Sequence, residues 1–403
     1  MGIKDRLSTL RIQAGKTTET SQPALAERLT RLQGTVRQNR SPKPAVTPDV
    51  LARMLKARLL EADVILVERR LSLNELHGNF HLTRLSQSLE GLPEAENLSA
   101  GQLLFLDTET TGLAGGTGTL VFMLGMARLT SHSLELRQYL LTGFAGEAVM
   151  LGHAAEWINS TDTLVSFNGK CFDVPLLSTR CRLAAMPDVF SPLEHLDLLH
   201  TTRRAYGRTW GDCRLISAEQ RLLGFHREND LPGAEAPQAW FDYIHRGDAS
   251  RLPGVSQHNQ WDLISLVALL PALVEAHTKP HSMQADIPAI ARSYQKQGRP
   301  DRALALLAEH RAVLDDEALL MLADFYRRQR QWRPACEIWE RLAERNHEEA
   351  IVRLAKYHEH VNKDYRSAIV HTERLAANVA RESRLRRLRR KSDRLFERFP
   401  ETK

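Results

Sequence analysis

Two carboxylates stand two residues apart in the stretch Leu106-Asp107-Thr108-Glu109-Thr110-Thr111-Gly112-Leu113. On a strand, alternate residues share one face. Asp107 and Glu109 would therefore point the same way from the end of the apolar run Leu103-Leu104-Phe105-Leu106. Like charges so close repel unless a cation lies between them, yet solvated acids at a strand end are common. A second stretch, Ser166-Phe167-Asn168-Gly169-Lys170-Cys171-Phe172-Asp173, reads as a strand, a glycine turn and an Asp at a helix start. There Asp173 would serve equally well as a helix cap. The third stretch is His258-Asn259-Gln260-Trp261-Asp262, opening a strongly apolar helix. Its four-residue spacing puts His258 and Asp262 on one helical face. An imidazole beside a carboxylate can act as a base near neutral pH, although a surface His–Asp pair at a helix start needs no such role.

Taken as a set, the order and spacing of the three stretches, with the Asn168-Gly169 turn, resemble the exonuclease motifs of the DEDD superfamily. The likeness extends to bacterial ribonuclease-H-like proteins of the YprB type, a group described as predicted exonucleases. His195-Leu196-Asp197-Leu198-Leu199, Cys213-Arg214-Leu215, Leu222-Leu223-Gly224 and the run from Leu231-Pro232-Gly233 to Tyr243 look like that group's segments between the second and third motifs. The resemblance covers about residues 95–275. It implies 3′–5′ hydrolysis of phosphodiester bonds in DNA or RNA, on a single-stranded 3′ end, with release of nucleoside monophosphates. By the same resemblance Asp107, Glu109, Asp173 and Asp262 would bind two divalent ions. Hard carboxylate oxygens suit magnesium or manganese, and two ions about 3.5–4 Å apart can clamp an in-line phosphoryl displacement. His258 would orient or deprotonate the attacking water, and Glu109 would also meet the terminal hydroxyl. Thr110, Leu113, Asn168 and Lys170, beside the motifs, are the expected substrate contacts. Asp197 is expected to support the site rather than bind metal.

The chain departs from the standard subtypes in one respect. One subclass places Tyr four residues before the last Asp, and the other places His five before it. Here His stands at the Tyr spacing, so the resemblance carries the metal ligands more directly than the base.

The elements that must position these groups follow from apolar patterning. Leu103–106, Leu120–Ala127, Leu134–Leu141 and Leu164–Phe167 read as strands. Ala145–Ile158, Val174–Leu183 and Leu263–Val274 read as helices, and apolar residues at helical spacing predict another over Val50–Arg70. Gly115-Gly116-Thr117-Gly118 lies between two strands and lacks a following Gly-Lys-Ser/Thr, so a hairpin turn is expected and not a phosphate loop. Three sequential strands followed by helix, strand and helix match a ribonuclease-H-like order. The expected fold is α/β, a mixed sheet with flanking helices over 96–278. After Pro280 the strands stop. Ala291, Tyr294 and Ala303 recur as Ala323, Tyr326 and Ala335, then more weakly as Ala355, His358 and Ala368. A period near ~34 residues, with small residues where helices cross, resembles tetratricopeptide repeats over 283–378.

The 403 residues carry a net charge of +6, which tilts toward a polyanionic partner without deciding one. The first 45 residues hold nine Lys/Arg against three acids, and Arg381–Arg398 repeats that ratio. The region 1–95 is read as basic and partly disordered, and 379–403 as a basic tail with leucines at helical spacing. Four cysteines without metal or redox spacing fit a reducing cytosol. A cytoplasmic protein without membrane association is expected, with a protein partner on the repeats. Lys170 and Arg214 could touch phosphates and Trp210, Trp240 and Trp261 could stack bases, but solvated charge is the better reading of either cation and core or rim packing explains each Trp at least as well. Two further readings stay open: an inactive nuclease fold that only binds nucleic acid, and a scaffold whose repeats recruit a partner.

Overall fold

The computed structural model describes residues 45–61, 63–86, 89–112 and 118–398. The first 44 residues of the region expected to be partly disordered, Leu113, and most of the Gly115–Gly118 turn lie outside these residues. A mixed sheet of seven strands organises the first two thirds of the molecule, in the order β1-β2-β7-β6-β5-β8-β9. Its strands are β1 (Arg58–Glu61), β2 (Val64–Ser72), β5 (Leu103–Thr110), β6 (Val121–Leu129), β7 (Ser133–Leu141), β8 (Thr163–Ser166) and β9 (Glu194–Asp197), while β3 (Leu76–His77) and β4 (Phe80–His81) form a small separate pair. The strands from β1 through β2, β7 and β6 to β5 are successively antiparallel, and β8 and β9 continue parallel to β5.

The helix expected over 50–70 is a correction. Only Pro48–Met54 (α1) is helical, and residues 58–72 form two strands. Periodicity fitted a helix, but the run Val64-Ile65-Leu66-Val67 is continuous, largely β-branched and buried, which suits a strand. β2 pairs with β7 along its whole length, from Val64↔Leu141 to Ser72↔Ser133. Residues before 96 therefore complete the sheet.

Both faces of the sheet are covered, which is why β5 reads as a continuous apolar run. Leu104 and Leu106 enter one core layer, with α1, α2 (Glu147–Ala155), α3 (Asp173–Leu183) and α6 (Ala236–Arg246). Leu103 and Phe105 enter the other, against α4 (Leu198–Tyr206) and α7 (Leu252–Thr278). A short helix, α5 (Leu215–Ala218), runs into a π-helical turn over Glu219–Leu223. α7 is long and apolar enough by composition to cross a membrane, but 78% of its most apolar window is buried in the protein as its core helix.

Beyond α7 the chain is helical: α8 (Ile287–Lys296), α9 (Pro300–Glu309), α10 (Asp316–Arg328), α11 (Trp332–Glu344), α12 (Glu348–Tyr357), α13 (Tyr365–Glu373) and α14 (Val379–Arg398). The six recurring alanines are all fully buried, where their small side chains let paired helices approach. In α14 Leu385 and Leu388 are buried, and Arg387 and Lys391 clamp the buried Glu359. Part of the basic tail is thus a cap on the repeats. The segment before β5 ties them to the sheet: Glu94 meets Arg204, Glu96 meets Arg299 and Arg302, and Tyr294 donates to the Gly91 carbonyl.

Candidate functional site

The alternation of β5 sends Asp107 and Glu109 toward the layer that holds α7. Opposite them α7 presents His258, Asn259 and Asp262. One ligand atom each of Glu109, His258 and Asp262 lies within 4.8 Å of the others. Asp173, at the start of α3, comes from the opposite layer and accepts a hydrogen bond from the Thr108 hydroxyl. The four acids thus gather at the end of β5, where the two layers meet, although 155 positions separate Asp107 from Asp262. His258 and Asp262 share a helical face as their spacing requires, with Nε2 to Oδ2 at 3.6 Å.

Electrostatics records the crowding. Burial, then Asp262, Glu109 and Asp173, push Asp107 well above the carboxylate range, against one relieving hydrogen bond from Asn259. Burial, then Asp262 and Asp173, push Glu109 up likewise. Burial raises Asp173 to about 6 despite the Thr108 hydroxyl. Such a cluster of hard oxygen donors, with more negative charge than the neighbouring Arg227 offsets, fits a divalent cation.

Three supports escaped the sequence reading. The first is an amide relay. The buried Gln138 donates to Asn259 Oδ1 at 2.8 Å, and Asn259 Nδ2 donates to Asp107 Oδ2 at 2.7 Å. Gly125 faces Asp107 across the β5–β6 ladder. A Cβ there would stand 2.2 Å from Asn259 Oδ1, so the missing side chain is what admits Asn259.

The second support is Arg227, whose side chain is only 4% exposed. Its Nε and Nη2 grip the fully buried Glu219 at 2.9 and 2.6 Å, Nη2 also donates to Asp262, and Nη1 lies 3.3 Å from Asp230. Burial opposes its charge, but the contacts with Glu219 and Asp262 hold the guanidinium above even its ordinary basicity. Glu219 sits in the π-helical turn and also accepts from Ser265, which bonds His77. The third is Asp230, whose Oδ1 lies 2.8 Å from His258 Nδ1. Arg227 Nη1 lies 3.2 Å from the same ring nitrogen, so both contacts engage Nδ1 and leave Nε2 facing Asp262. Arg227-Glu228-Asn229-Asp230 was the available signal, but a charged run has no local feature that separates a buried arginine from a solvated one.

Asp197 accepts from the backbone N–H groups of Asn168 and Lys170 at 2.8 and 3.1 Å, and caps α4 through Leu199 N–H. It shapes the turn that carries Asp173. In that turn Asn168 has φ 72°, a conformation Asn tolerates better than most residues. A Cβ on Gly169 would meet Ser166 Oγ at 2.3 Å and Asp173 Oδ2 at 3.2 Å. The Lys170 side chain is exposed, and the Thr110 hydroxyl is spent on the Gly112 carbonyl at 3.0 Å. Trp240 is buried, with its indole N–H on the Leu141 carbonyl, which removes it from base stacking.

Fold and site together define a ribonuclease-H-like domain followed by helical repeats. A family model described as the RNase_H superfamily matches residues 104–274, and a tetratricopeptide repeat model matches residues 317–346. The chain is 31% identical over 353 residues to the uncharacterized protein YprB of Bacillus subtilis (strain 168), covering 81% of this chain and 84% of that one. The chain belongs to the YprB family.

Proposed function

We propose that the protein is a metal-dependent nuclease, acting as a 3′–5′ exonuclease on single-stranded DNA or RNA. The observation that carries this reading is the meeting of Asp107, Glu109, Asp173, Asp262 and His258, from three distant stretches, at one strand end. The 3′ polarity rests on the likeness of those stretches to the DEDD motifs. Magnesium or manganese, held by the four carboxylates, would when bound neutralise phosphodiester charge and acidify water.

The protein's own groups do the rest. Asn259 fixes Asp107, and Arg227 fixes Asp262 through a guanidinium whose charge is matched by Glu219 and Asp230. His258, oriented by Asp230, takes the proton of the attacking water on Nε2. The water oxygen bonds to phosphorus, the P–O3′ bond breaks, and the departing 3′-oxygen is protonated from solvent, giving a nucleoside 5′-monophosphate. The completeness of these supports favours a working site over a nuclease fold that only binds.

Purified protein with manganese should shorten a 5′-labelled single-stranded oligonucleotide one residue at a time, and Asp107→Asn should not. Intact oligonucleotide with folded parent protein refutes hydrolysis, and internal fragments refute the polarity. The repeats are assigned to a protein partner, and the cytoplasm to the protein.

A further inference from the structure

We propose that the groove between the 166–173 turn and the segment from Arg203 to Leu215 is a track for single-stranded nucleic acid leading to the carboxylate cluster. The proposal rests on reading that cluster as a phosphodiester-cleaving site. The groove encloses about 770 Å³ and is lined by Phe167, Asn168, Arg203, Trp210, Arg214 and Leu215, among others. That volume is within the range of sites that enclose a small ligand. Both walls run to the acids. Asn168 lies on the turn that delivers Asp173, and Leu215 opens the helix whose continuation places Glu219 against Arg227 and Asp262.

The lining has the chemistry of a strand track, an aromatic platform among cations. Trp210 is half-buried and braced by Tyr206, the rings stacked 4.1 Å apart at 13°. The Arg221 guanidinium lies over the Trp210 ring, 5.3 Å from its centroid, so a stacking base takes the place of this exposed side chain while its charge stays beside the phosphate. Arg203 and Arg221 are exposed, and both act on Cys213 of the groove wall. The groove's own carboxylate, Asp212, is held by Arg214 at 3.0 Å and by the Ser217 hydroxyl, so it does not cancel the other cations. Phosphates answer the arginines. An aromatic face answers an unpaired base, which a duplex does not offer.

The test uses the full chain and a fluorescent single-stranded oligonucleotide in EDTA, where binding is read without turnover. Trp210→Leu should weaken binding roughly 5- to 100-fold, the range expected when one base no longer stacks on an aromatic ring. Arg203→Glu and Arg221→Glu, at exposed positions that leave folding intact, should each flatten the salt dependence by about 0.7 in log–log slope for every phosphate that is no longer neutralised. A duplex should bind more weakly and ignore Trp210→Leu. Unchanged single-strand binding in the two arginine variants overturns the track, as does full competition by an acidic peptide lacking bases. Manganese-dependent hydrolysis by the parent is scored separately. Its failure removes the nuclease reading, while groove-dependent binding would still establish the track.

Discussion

Replacing Asp173 by Asn should make the metal-free protein more stable and metal-blind. Asp173 stands at about 6 against an ordinary 3.8, because burial and neighbouring acids disfavour its charge. Each pH unit of that displacement is worth about 1.4 kcal/mol, so at pH 8 the charged side chain costs the metal-free fold about 3 kcal/mol. An Asn keeps an oxygen for the Thr108 hydroxyl, and the displacement already includes whatever the first turn of α3 gives the charge, so the net gain stays about 3 kcal/mol. At roughly 2–4 °C per kcal/mol for a domain of this size, Tm in EDTA should rise by about 6–12 °C. The sign follows from proton linkage. A raised carboxyl binds its proton more tightly folded than unfolded, so the parent loses stability as pH climbs from about 4 through 6. The advantage of the variant must therefore be full at pH 8 and vanish near pH 4. Manganese, which relieves the same repulsion, should raise the parent's Tm markedly and the variant's much less. Scanning calorimetry at both pH values, with EDTA and with manganese, reads every arm. A variant that melts lower than the parent in EDTA at pH 8, or an equal manganese response in both proteins, refutes the electrostatic argument.

Other outcomes follow from the same contacts. Gly125→Ala should drive Asn259 off Asp107 and cut nuclease activity more than tenfold, at a stability cost of about 1–3 kcal/mol, seen by comparing turnover with chemical denaturation. Arg227→Met strands Glu219 in the interior and should cost about 3–5 kcal/mol. A denaturation midpoint within error of the parent's would show that the buried pair contributes nothing. Asp197→Asn weakens the acceptor for three backbone N–H groups; a loss of about 1–3 kcal/mol should appear with faster amide exchange at Asn168 and Lys170. Ala335→Leu overfills the α10–α11 crossing and should destabilise the repeats by about 1–3 kcal/mol, read as an earlier unfolding phase with oligonucleotide cleavage unchanged.

Local pattern was enough for much of this molecule. The apolar run ahead of Asp107, the glycine turn ahead of Asp173 and the i,i+4 pair on α7 each follow from spacing along a few residues, although α7 begins at Leu252 and not at the His258 expected to open it. The recurring alanines did the same for the helix crossings, since a period survives without knowing the partner helix. What tertiary structure alone decided depends on groups distant in sequence. Residues 50–70 carry helical spacing ahead of the β-branched run Val64–Val67, and pairing of β2 with β7 and of β1 with β2 settled the conflict in favour of strands. Asn259 lies inside a motif, yet its task depends on Gln138 and on the space left by Gly125. Arg227 sits in a charged stretch that looks solvated, and only the fold closes Glu219, Asp230 and Asp262 around it. Spacing fixes which side chains share a face. Burial, and the partners that make a buried charge tolerable, are properties of the assembled chain.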